Sequence, residues 1–384
     1  MQLRQVFITF LALICAGQAL AQQAPVPPTL AAKSWLLLET SSGQILTTEK
    51  PDERIEPASL TKLMTAYLTF SALRQKTIAI DQSLPVSQKA WKTGGSKMFV
   101  RVDTQVPVDD LIKGMIVQSG NDACVTLAEG IAGSEENFAQ MMNREAQRLG
   151  MKSSSFTNST GLPDPQLYTT ARDLSILANA LIRDFPEDYK KYYSIKEFRY
   201  NNITQPNRNR LLFIDPTVDG VKTGHTEAAG YCLISSALRD KRRLLSVVLG
   251  TNSDSTRATE SLKLLNWGFI AYDSVPLYAK AQEVAALRVW KGTQTTFKAG
   301  FSNDLAIVVP KGYADKVKSE FTAKPRLIAP IQAGQDIGLL KVTIDGKPYG
   351  EYPVLALEEV ALGNIFFKVT IDGKPYGEYP VLAL

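Results

Sequence analysis

Three short polar motifs, widely separated in the sequence, place the strongest constraint on how this chain can fold. They are Ser59-x-x-Lys62, Ser119-x-Asn121 and Lys222-Thr223-Gly224. The first begins an apolar helical pattern, the second joins two such patterns, and the third precedes a strand pattern. Hydroxyl and amine groups act on one another only at hydrogen-bonding distance. A chemical role for these motifs therefore requires distant segments to form one cleft.

The first motif has the spacing of an activated serine. Pro57 suits the start of a helix, which places Ser59 in the first turn and brings Lys62 onto the same face. A helix N-terminus offers free backbone N–H groups and a favourable dipole for developing negative charge. A lysine that loses its water beside the hydroxyl can become neutral and take its proton. Taken alone, the motif also fits an ordinary amphipathic helix with a solvated lysine.

The other two motifs are weaker signals on their own. Ser119 and Asn121 lie in a short loop, which would present a hydroxyl beside an amide or would simply cap a helix. In the third motif, Gly224 would let a substrate backbone approach closely. A second Lys-Thr-Gly, at residues 92–94, leads into no strand and is interpreted as a coincidence in a loop.

A single histidine, His225, limits the other chemistries open to the chain. It rules out the usual multi-histidine metal sites, and the sequence indicates no metal or cofactor. It also leaves only one candidate base for a Ser-His-Asp triad, and no G-x-S-x-G motif supports that interpretation. The charge is mildly basic without a basic run, which argues against a nucleic-acid partner.

Residues 1–21 have the pattern of a signal peptide. Arg4 precedes an apolar run at residues 6–16, and residues 19–21 form a small-residue cleavage site. The run is short for a transmembrane helix, and the bulky Ile14 argues against lipidation of Cys15. Cleavage would lower the formal net charge from +5 to +4. The sequence therefore predicts export to the periplasm.

Two cysteines, Cys124 and Cys232, remain after this cleavage. Both lie in apolar sequence, so we predict two buried free thiols. An oxidising compartment would also permit a disulfide between them.

The hydrophobic pattern divides the chain into a mixed part and a β-rich part. The clearest helix spans residues 135–149, with Ser134 as its N-cap and Gly150 at its end. From about residues 272–277 onward only short strand patterns follow, which predicts a small all-β domain.

Residues 341–357 recur without change as residues 368–384. Because structural repeats normally drift in sequence, we do not assume that the second copy folds like the first. Its place in the sheet is expected to be occupied already.

The ordered set of three motifs is typical of penicillin-binding proteins and class A β-lactamases. Further matching segments are residues 119–124, 205–209, 218–226 and 264–268. From about residue 34 to 367 the chain resembles the low-molecular-weight penicillin-binding proteins, the serine-type D-alanyl-D-alanine carboxypeptidases of peptidase family S11.

The resemblance implies an α+β fold of the penicillin-binding, transpeptidase-like type. Such a fold has an antiparallel sheet flanked by helices, an all-helical lobe and a small C-terminal all-β domain. The implied divisions are a catalytic domain at residues 27–275, a β-rich domain at residues 276–367, and a duplicated tail at residues 368–384 whose structure is left open.

The resemblance also implies a catalytic role for several of the polar residues. Ser59 would attack the carbonyl of the penultimate D-alanine and form an acyl-enzyme. Lys62 would be its general base, and Ser119 would relay protons with Lys222 toward the leaving amine.

A second group of residues is implied in substrate binding. Its members are Asn121, Lys222, Thr223, Gly224, His225 and Arg257. Asn121 would bind the amide side of the substrate, while Lys222, Thr223 and Arg257 would bind its terminal carboxylate. Backbone N–H groups of Ser59 and His225 would form the oxyanion hole.

On this resemblance the chain trims the last D-alanine from peptidoglycan stem peptides. β-Lactams mimic the D-alanyl-D-alanine end, so they should acylate Ser59 and inhibit the enzyme. Residues 158–172 lack the glutamate that class A β-lactamases use for deacylation, and slow turnover of penicillin is therefore expected. A D,D-endopeptidase, a β-lactamase of the same fold and a non-catalytic wall-binding protein remain alternatives.

Relatives of this kind usually end in an amphipathic helix that lies on the inner membrane. The repeated tail contains Gly373, Pro375, Gly377 and Pro380, which exclude a regular helix there. The inner-membrane surface is therefore a candidate partner, but the usual anchor is not expected.

Overall fold

A computed structural model describes residues 25–363, and it describes residues 365–371 and 374–381 by their backbone. The predicted signal peptide lies outside the described residues. The helices are α1 (Lys62–Arg74), α2 (Gln88–Lys92), α3 (Val108–Val117), α4 (Asn121–Ala132), α5 (Glu135–Leu149), α6 (Ala171–Asp184), α7 (Pro186–Tyr192), α8 (Leu211–Ile214) and α9 (Asp254–Ala271). The first strands are β1 (Ser34–Glu39), β2 (Ile45–Glu49), β3 (Ser83–Pro85), β4 (Gln105–Pro107), β5 (Glu197–Tyr200), β6 (Ile203–Pro206), β7 (Val218–Thr226), β8 (Gly230–Arg239) and β9 (Arg242–Thr251).

The catalytic part is built on a five-stranded antiparallel sheet in the order β2-β1-β9-β8-β7. Because side chains alternate along a strand, each strand supplies both faces of the sheet with apolar residues. On one face the packed residues are Leu37, Leu233, Leu244 and Val248, with Leu264 and Leu265 of α9. On the other they are Leu36, Leu38, Ile234, Leu245 and Val247, which join the core formed with α1 and α6.

Helices α1 to α5 pack on one another as a lobe, and α6 packs between this lobe and strands β1 and β9. Helix α1 is buried along nearly all of its length, as expected for a helix at the centre of a helical layer. Helix α5 has the predicted ends: the Ser134 hydroxyl accepts a hydrogen bond from the Asn137 N–H, and Gly150 adopts φ = +85°. These local signals were sufficient to predict the ends of α5, because helix capping depends on residues that are neighbours in sequence.

The chain after α9 is all β and has its own core. Its strands are β10 (Tyr272–Tyr278), β11 (Glu283–Arg288), β12 (Thr296–Gly300), β13 (Leu305–Pro310), β14 (Val317–Ala323), β15 (Asp336–Ile344), β16 (Lys347–Ala356), β17 (Ile365–Ile371) and β18 (Lys374–Val381). Five of them form a sheet in the order β11-β12-β16-β15-β14, while β10 pairs with β13. The predicted α+β fold with a C-terminal all-β part is confirmed. The division at residue 275 stays a prediction.

The two copies of the repeated segment pair internally in the same way but occupy different places. Strands β17 and β18 pair Lys368 with Glu378, as β15 and β16 pair Lys341 with Glu351. The first copy lies inside the five-stranded sheet, and its Tyr349 donates a hydrogen bond of 2.6 Å to Gln44. The second copy forms a separate two-stranded sheet. Hairpin pairing is local and repeats with the sequence, whereas one position in a sheet holds one hairpin.

In the part of the chain that the structure describes, no helix combines the length and hydrophobicity needed to cross a membrane.

Candidate active site

Ser59 lies in a tight 3-10 turn, Ala58–Thr61, that leads directly into α1. The Leu60 N–H donates to the Pro57 carbonyl at 3.0 Å, so Pro57 begins the turn as predicted. The regular α-helix begins only at Lys62, later than the sequence indicated. Ala58 adopts φ = +48°, an unusual conformation that the surrounding core must impose. Ser59 is half-buried and faces the cavity described below.

The side chain of Lys62 is buried and directed at the serine. It is 1% exposed, and its Nζ donates to Ser59 Oγ at 2.9 Å and to the Thr160 carbonyl at 2.5 Å. Burial lowers the pKa of Lys62 to about 8; Cys124 opposes the shift, and the positive charge of Arg208 adds to it. At this pKa roughly a tenth of Lys62 is neutral at pH 7, far more than for an exposed lysine, and the neutral form can accept the serine proton.

Ser119 and Lys222 form a second hydroxyl–amine pair. Lys222 Nζ, on β7, donates to Ser119 Oγ at 2.9 Å, and Ser119 lies between α3 and α4 with φ = +60°. Burial lowers the pKa of Lys222 well below its usual value, and the positive charges of Lys62 and Arg208 lower it further. The two amines are thus close enough to disfavour simultaneous protonation.

Asn121 is buried and held in place by two hydrogen bonds. Its Nδ2 donates to the Gly94 carbonyl at 2.7 Å, and its backbone N–H donates to the Ser96 carbonyl at 2.7 Å. Its Oδ1 is buried and accepts no hydrogen bond from residues 25–363. The Gly94 of the second Lys-Thr-Gly therefore positions Asn121, a role that the sequence interpretation missed.

The loop at residues 158–161 closes the site behind Lys62. The Asn158 carboxamide oxygen accepts hydrogen bonds from the N–H groups of Thr160 and Gly161, at 3.1 and 2.7 Å. Gly161 has φ = +84°, and a Cβ there would lie 1.7 Å from the Ala58 carbonyl oxygen. Only glycine fits this approach between the loop and the turn that carries Ser59.

Most of the predicted site residues line one cavity of about 460 Å³, and Lys62 and Lys222 are hydrogen-bonded to the lining residues Ser59 and Ser119. Its lining is Ser59, Ser96, Ser119, Asn207, Arg208, Arg210, Thr223, Gly224, His225, Tyr231, Asp254 and Arg257. The predicted site is therefore one place, supplied by the turn before α1, the loop before α4, and β7.

The cavity carries more positive charge than the sequence interpretation recognised. Arg257 is 6% exposed, donates to the Gly224 carbonyl at 3.1 Å and forms an ion pair with Asp254. Arg208, which we had not assigned, also lines the cavity and acts electrostatically on both lysines. Only its place in the matching segment at residues 205–209 could have indicated it.

The structure also bears on what the sequence predicted for Gly224 and His225. Gly224 lets β7 pack against the nucleophile turn, since a Cβ there would lie 3.1 Å from both the Pro57 carbonyl oxygen and Leu60. This packing favours glycine here, and the close approach of a substrate that the sequence suggested stays a prediction. The ring of His225 is exposed and packs against Tyr231, with centroids 4.0 Å apart.

Cys124 and Cys232 are buried free thiols, as predicted.

The fold and the site together define a class of protein. A serine beside a buried amine of lowered pKa, with a second Ser–Lys pair and several arginines lining the cavity, is the arrangement of a serine acyl-transfer enzyme of the penicillin-binding type. Residues 21–253 match the family model of D-alanyl-D-alanine carboxypeptidase, peptidase S11. Residues 272–362 match the penicillin-binding protein 5 C-terminal domain. The chain belongs to the peptidase S11 family and is a serine-type D-alanyl-D-alanine carboxypeptidase.

Known relatives match over most of their length. D-alanyl-D-alanine carboxypeptidase DacC of Escherichia coli is 40% identical, over 93% of this chain and 91% of the relative. DacA of Haemophilus influenzae is 42% identical, over 88% of each. The structure of penicillin-binding protein 5 from Haemophilus influenzae superposes with a TM-score of 0.83 at 41% identity, covering 88% of this chain and 99% of that one. Penicillin-binding protein D2 from Listeria monocytogenes, solved in an ampicillin-bound form, has a TM-score of 0.58 at 29% identity, covering 63% of this chain and 100% of that one.

Proposed function

We propose that this enzyme removes the terminal D-alanine from the pentapeptide stems of peptidoglycan, through an acyl-enzyme formed at Ser59. The observation that carries the proposal is the hydrogen bond of 2.9 Å between Ser59 Oγ and the buried amine of Lys62. A half-buried hydroxyl facing a cavity becomes a strong nucleophile when a neutral amine can take its proton.

Acylation follows from the two hydroxyl–amine pairs. As Ser59 Oγ bonds to the carbonyl carbon of the penultimate D-alanine, its proton passes to neutral Lys62. The backbone N–H groups of Ser59 and His225 stabilise the oxyanion. Collapse of the tetrahedral intermediate breaks the C–N bond, and Ser119, backed by Lys222, delivers a proton to the amine of the departing D-alanine.

Hydrolysis of the acyl-enzyme completes the cycle, and it should be slow with β-lactams. Within residues 158–173 the carboxylates are those of Asp164 and Asp173, and Asp164 accepts a hydrogen bond from the Gln166 N–H. Asp173 accepts from the Ser153 N–H and the Ser154 hydroxyl. Both are thus engaged in local hydrogen bonds, which supports a long-lived penicilloyl enzyme and inhibition by β-lactams.

The site offers the substrate both a hydrogen-bond acceptor and positively charged groups. The Oδ1 of Asn121, which accepts no hydrogen bond from residues 25–363, is suited to accept a substrate N–H. Thr223 and Arg257 line the cavity and Lys222 donates to the lining Ser119, so these groups are suited to bind a carboxylate. Because Arg257 is already paired with Asp254, we propose that Arg208 supplies additional positive charge there.

The direct test is product analysis on three substrates. With a D-alanyl-D-alanine pentapeptide mimic we expect release of free D-alanine. Faster cleavage of a cross-linked stem dimer would identify an endopeptidase instead, and rapid penicillin turnover would identify a β-lactamase. A chain that takes no covalent label from fluorescent penicillin would be a non-catalytic binding protein.

Replacing Arg208 with alanine should change both substrate affinity and the pH profile. Loss of a charged contact to a carboxylate should raise KM for the pentapeptide mimic by about 10-fold or more. Loss of its positive charge also removes a cause of the low Lys62 pKa. That pKa should then rise, so half-maximal acylation should require a higher pH than in the parent enzyme.

The matched control for this variant is Arg210→Ala. Arg210 lines the same cavity but lies 3.5 Å from Asp254, with which it is paired. Its loss should leave the pH of half-maximal acylation unchanged. Equal shifts in both variants, or no shift in Arg208→Ala, would show that Arg208 does not tune Lys62.

We further propose that the mature enzyme works in the periplasm, where its peptidoglycan substrate lies. The support is the leader pattern at residues 1–21 and the family membership. Contact with the inner-membrane surface stays a prediction, which fractionation of cells expressing the full chain would test.

A further inference from the structure

We propose that Glu135 is a positioning residue for acylation: it fixes the loop whose Thr160 carbonyl orients the amine of Lys62. The inference rests on the proposed role of Lys62 as the base. Glu135 belongs to the first turn of α5, and neither its position nor its spacing relates it to the three motifs.

The carboxylate of Glu135 is buried, and its two oxygens contact different partners. The residue is 8% exposed. Its Oε1 accepts hydrogen bonds from the Ser159 N–H at 3.0 Å and the Ser159 hydroxyl at 2.7 Å. Its Oε2 lies 3.0 Å from Lys89 Nζ. A buried carboxylate satisfied in this way holds its partners firmly, because breaking the contacts would leave polar groups unpaired.

Two contacts connect the loop that Glu135 fixes to the helix that bears the base. The Ser159 carbonyl accepts from the Thr65 hydroxyl at 2.6 Å, and the Thr160 carbonyl accepts from Lys62 Nζ at 2.5 Å. A neutral amine has two N–H bonds and one lone pair. When Thr160 takes one N–H, the lone pair of Lys62 can be directed at Ser59 Oγ, as proton abstraction requires.

The other carboxylate oxygen of Glu135, Oε2, connects this residue through Lys89 to the segment that positions Asn121. Lys89 lies in α2, and the chain that leaves α2 carries Gly94, whose carbonyl holds Asn121. Glu135 therefore links the loop behind the base to the segment that positions the substrate-binding amide. A shift of about 1 Å in such a group can cost roughly 100-fold in rate.

The neighbouring Glu136 provides a matched control for this proposal. Its carboxylate also pairs with Lys89, at 2.7 Å, but its side chain is 72% exposed. Of the two carboxylates, that of Glu135 accepts the hydrogen bonds donated by Ser159. A purely electrostatic effect through Lys89 would appear in both variants, whereas an effect through the loop would appear only in Glu135 variants.

The experiment measures the second-order rate of acylation by fluorescent penicillin, and kcat and KM for the pentapeptide mimic, in the full chain. Glu135→Ala should lower acylation about 10- to 100-fold. Glu136→Ala should stay within about twofold of the parent, as expected for an exposed side chain. Glu135→Gln should recover most of the rate, since its amide oxygen can still accept from Ser159.

A milder variant protects the test against a folding defect. Ser159→Ala removes one hydrogen bond to Glu135 and keeps the backbone contact, so acylation should fall about 3- to 10-fold without a large change in Tm. Parental acylation rates in Glu135→Ala and Ser159→Ala, or equal losses in Glu135→Ala and Glu136→Ala, would overturn the proposal. A parent enzyme that takes no label and releases no D-alanine would instead overturn the proposed function.

Discussion

Replacing Ser59 with alanine should abolish both the release of D-alanine and covalent labelling by penicillin. The variant retains the buried lysine and the cavity, but it has no oxygen to form the acyl bond. In serine hydrolases, loss of the nucleophile lowers kcat by about 10⁴-fold or more, and the same is expected here. The measurement is D-alanine release from a pentapeptide mimic, combined with mass spectrometry of the protein after exposure to a β-lactam.

The control for this result is Ser71→Ala. Ser71 lies on the same helix as Lys62 and borders a different surface depression, so both activity and labelling should remain at the level of the parent enzyme. A β-lactam adduct that persists in Ser59→Ala, for example on Ser119, would contradict the assignment of the nucleophile.

Acylation by the parent enzyme should rise with pH and reach half its maximum near the pKa of Lys62, about 8. Below that pKa the amine is protonated and cannot accept the serine proton. Above it the amine is neutral and the rate levels off. Replacing Lys62 with methionine, which keeps an unbranched side chain, should lower acylation by about 10²- to 10⁴-fold. This variant should also lose the rise in acylation rate near pH 8.

Stopped-flow labelling with a fluorescent penicillin, from two pH units below to two above that pKa, measures both effects. Lys113→Met is a suitable control, because Lys113 is paired with Asp109 and Asp110 on the outer side of α3. It should leave the rate and its pH profile unchanged. A parent profile that is flat across this range, or a Lys62→Met enzyme of normal rate, would exclude Lys62 as the base.

Most of the secondary structure could be read from the sequence because its signals are local. Ser134 and Gly150 marked the ends of α5, and the strands after residue 272 appeared where the short strand patterns predicted them. The 3-10 turn at Ser59 could not be predicted. Its geometry follows from contacts of Ala58 and Gly224 with segments that are distant in sequence.

The sequence predicted only part of the candidate site. The motifs identified the reacting groups, and the structure places Ser59, Ser119 and Thr223 on one cavity as expected. Arg208 and Gly94 were missed, and they act through contacts that join residues far apart in the chain. Short-range spacing carries no information about such contacts.

By itself, the sequence determined the chemical groups available and the spacing that puts Lys62 one turn from Ser59. It also determined the alternation that buries both faces of the central sheet. Only the tertiary structure decided that Lys62 and Lys222 lose their water and that Glu135 reaches Ser159. It also decided that Asn121 Oδ1 is buried without a hydrogen-bond donor among residues 25–363. The physical reason is that the pKa of a lysine depends on desolvation and neighbouring charges, and here distant segments of the chain supply both.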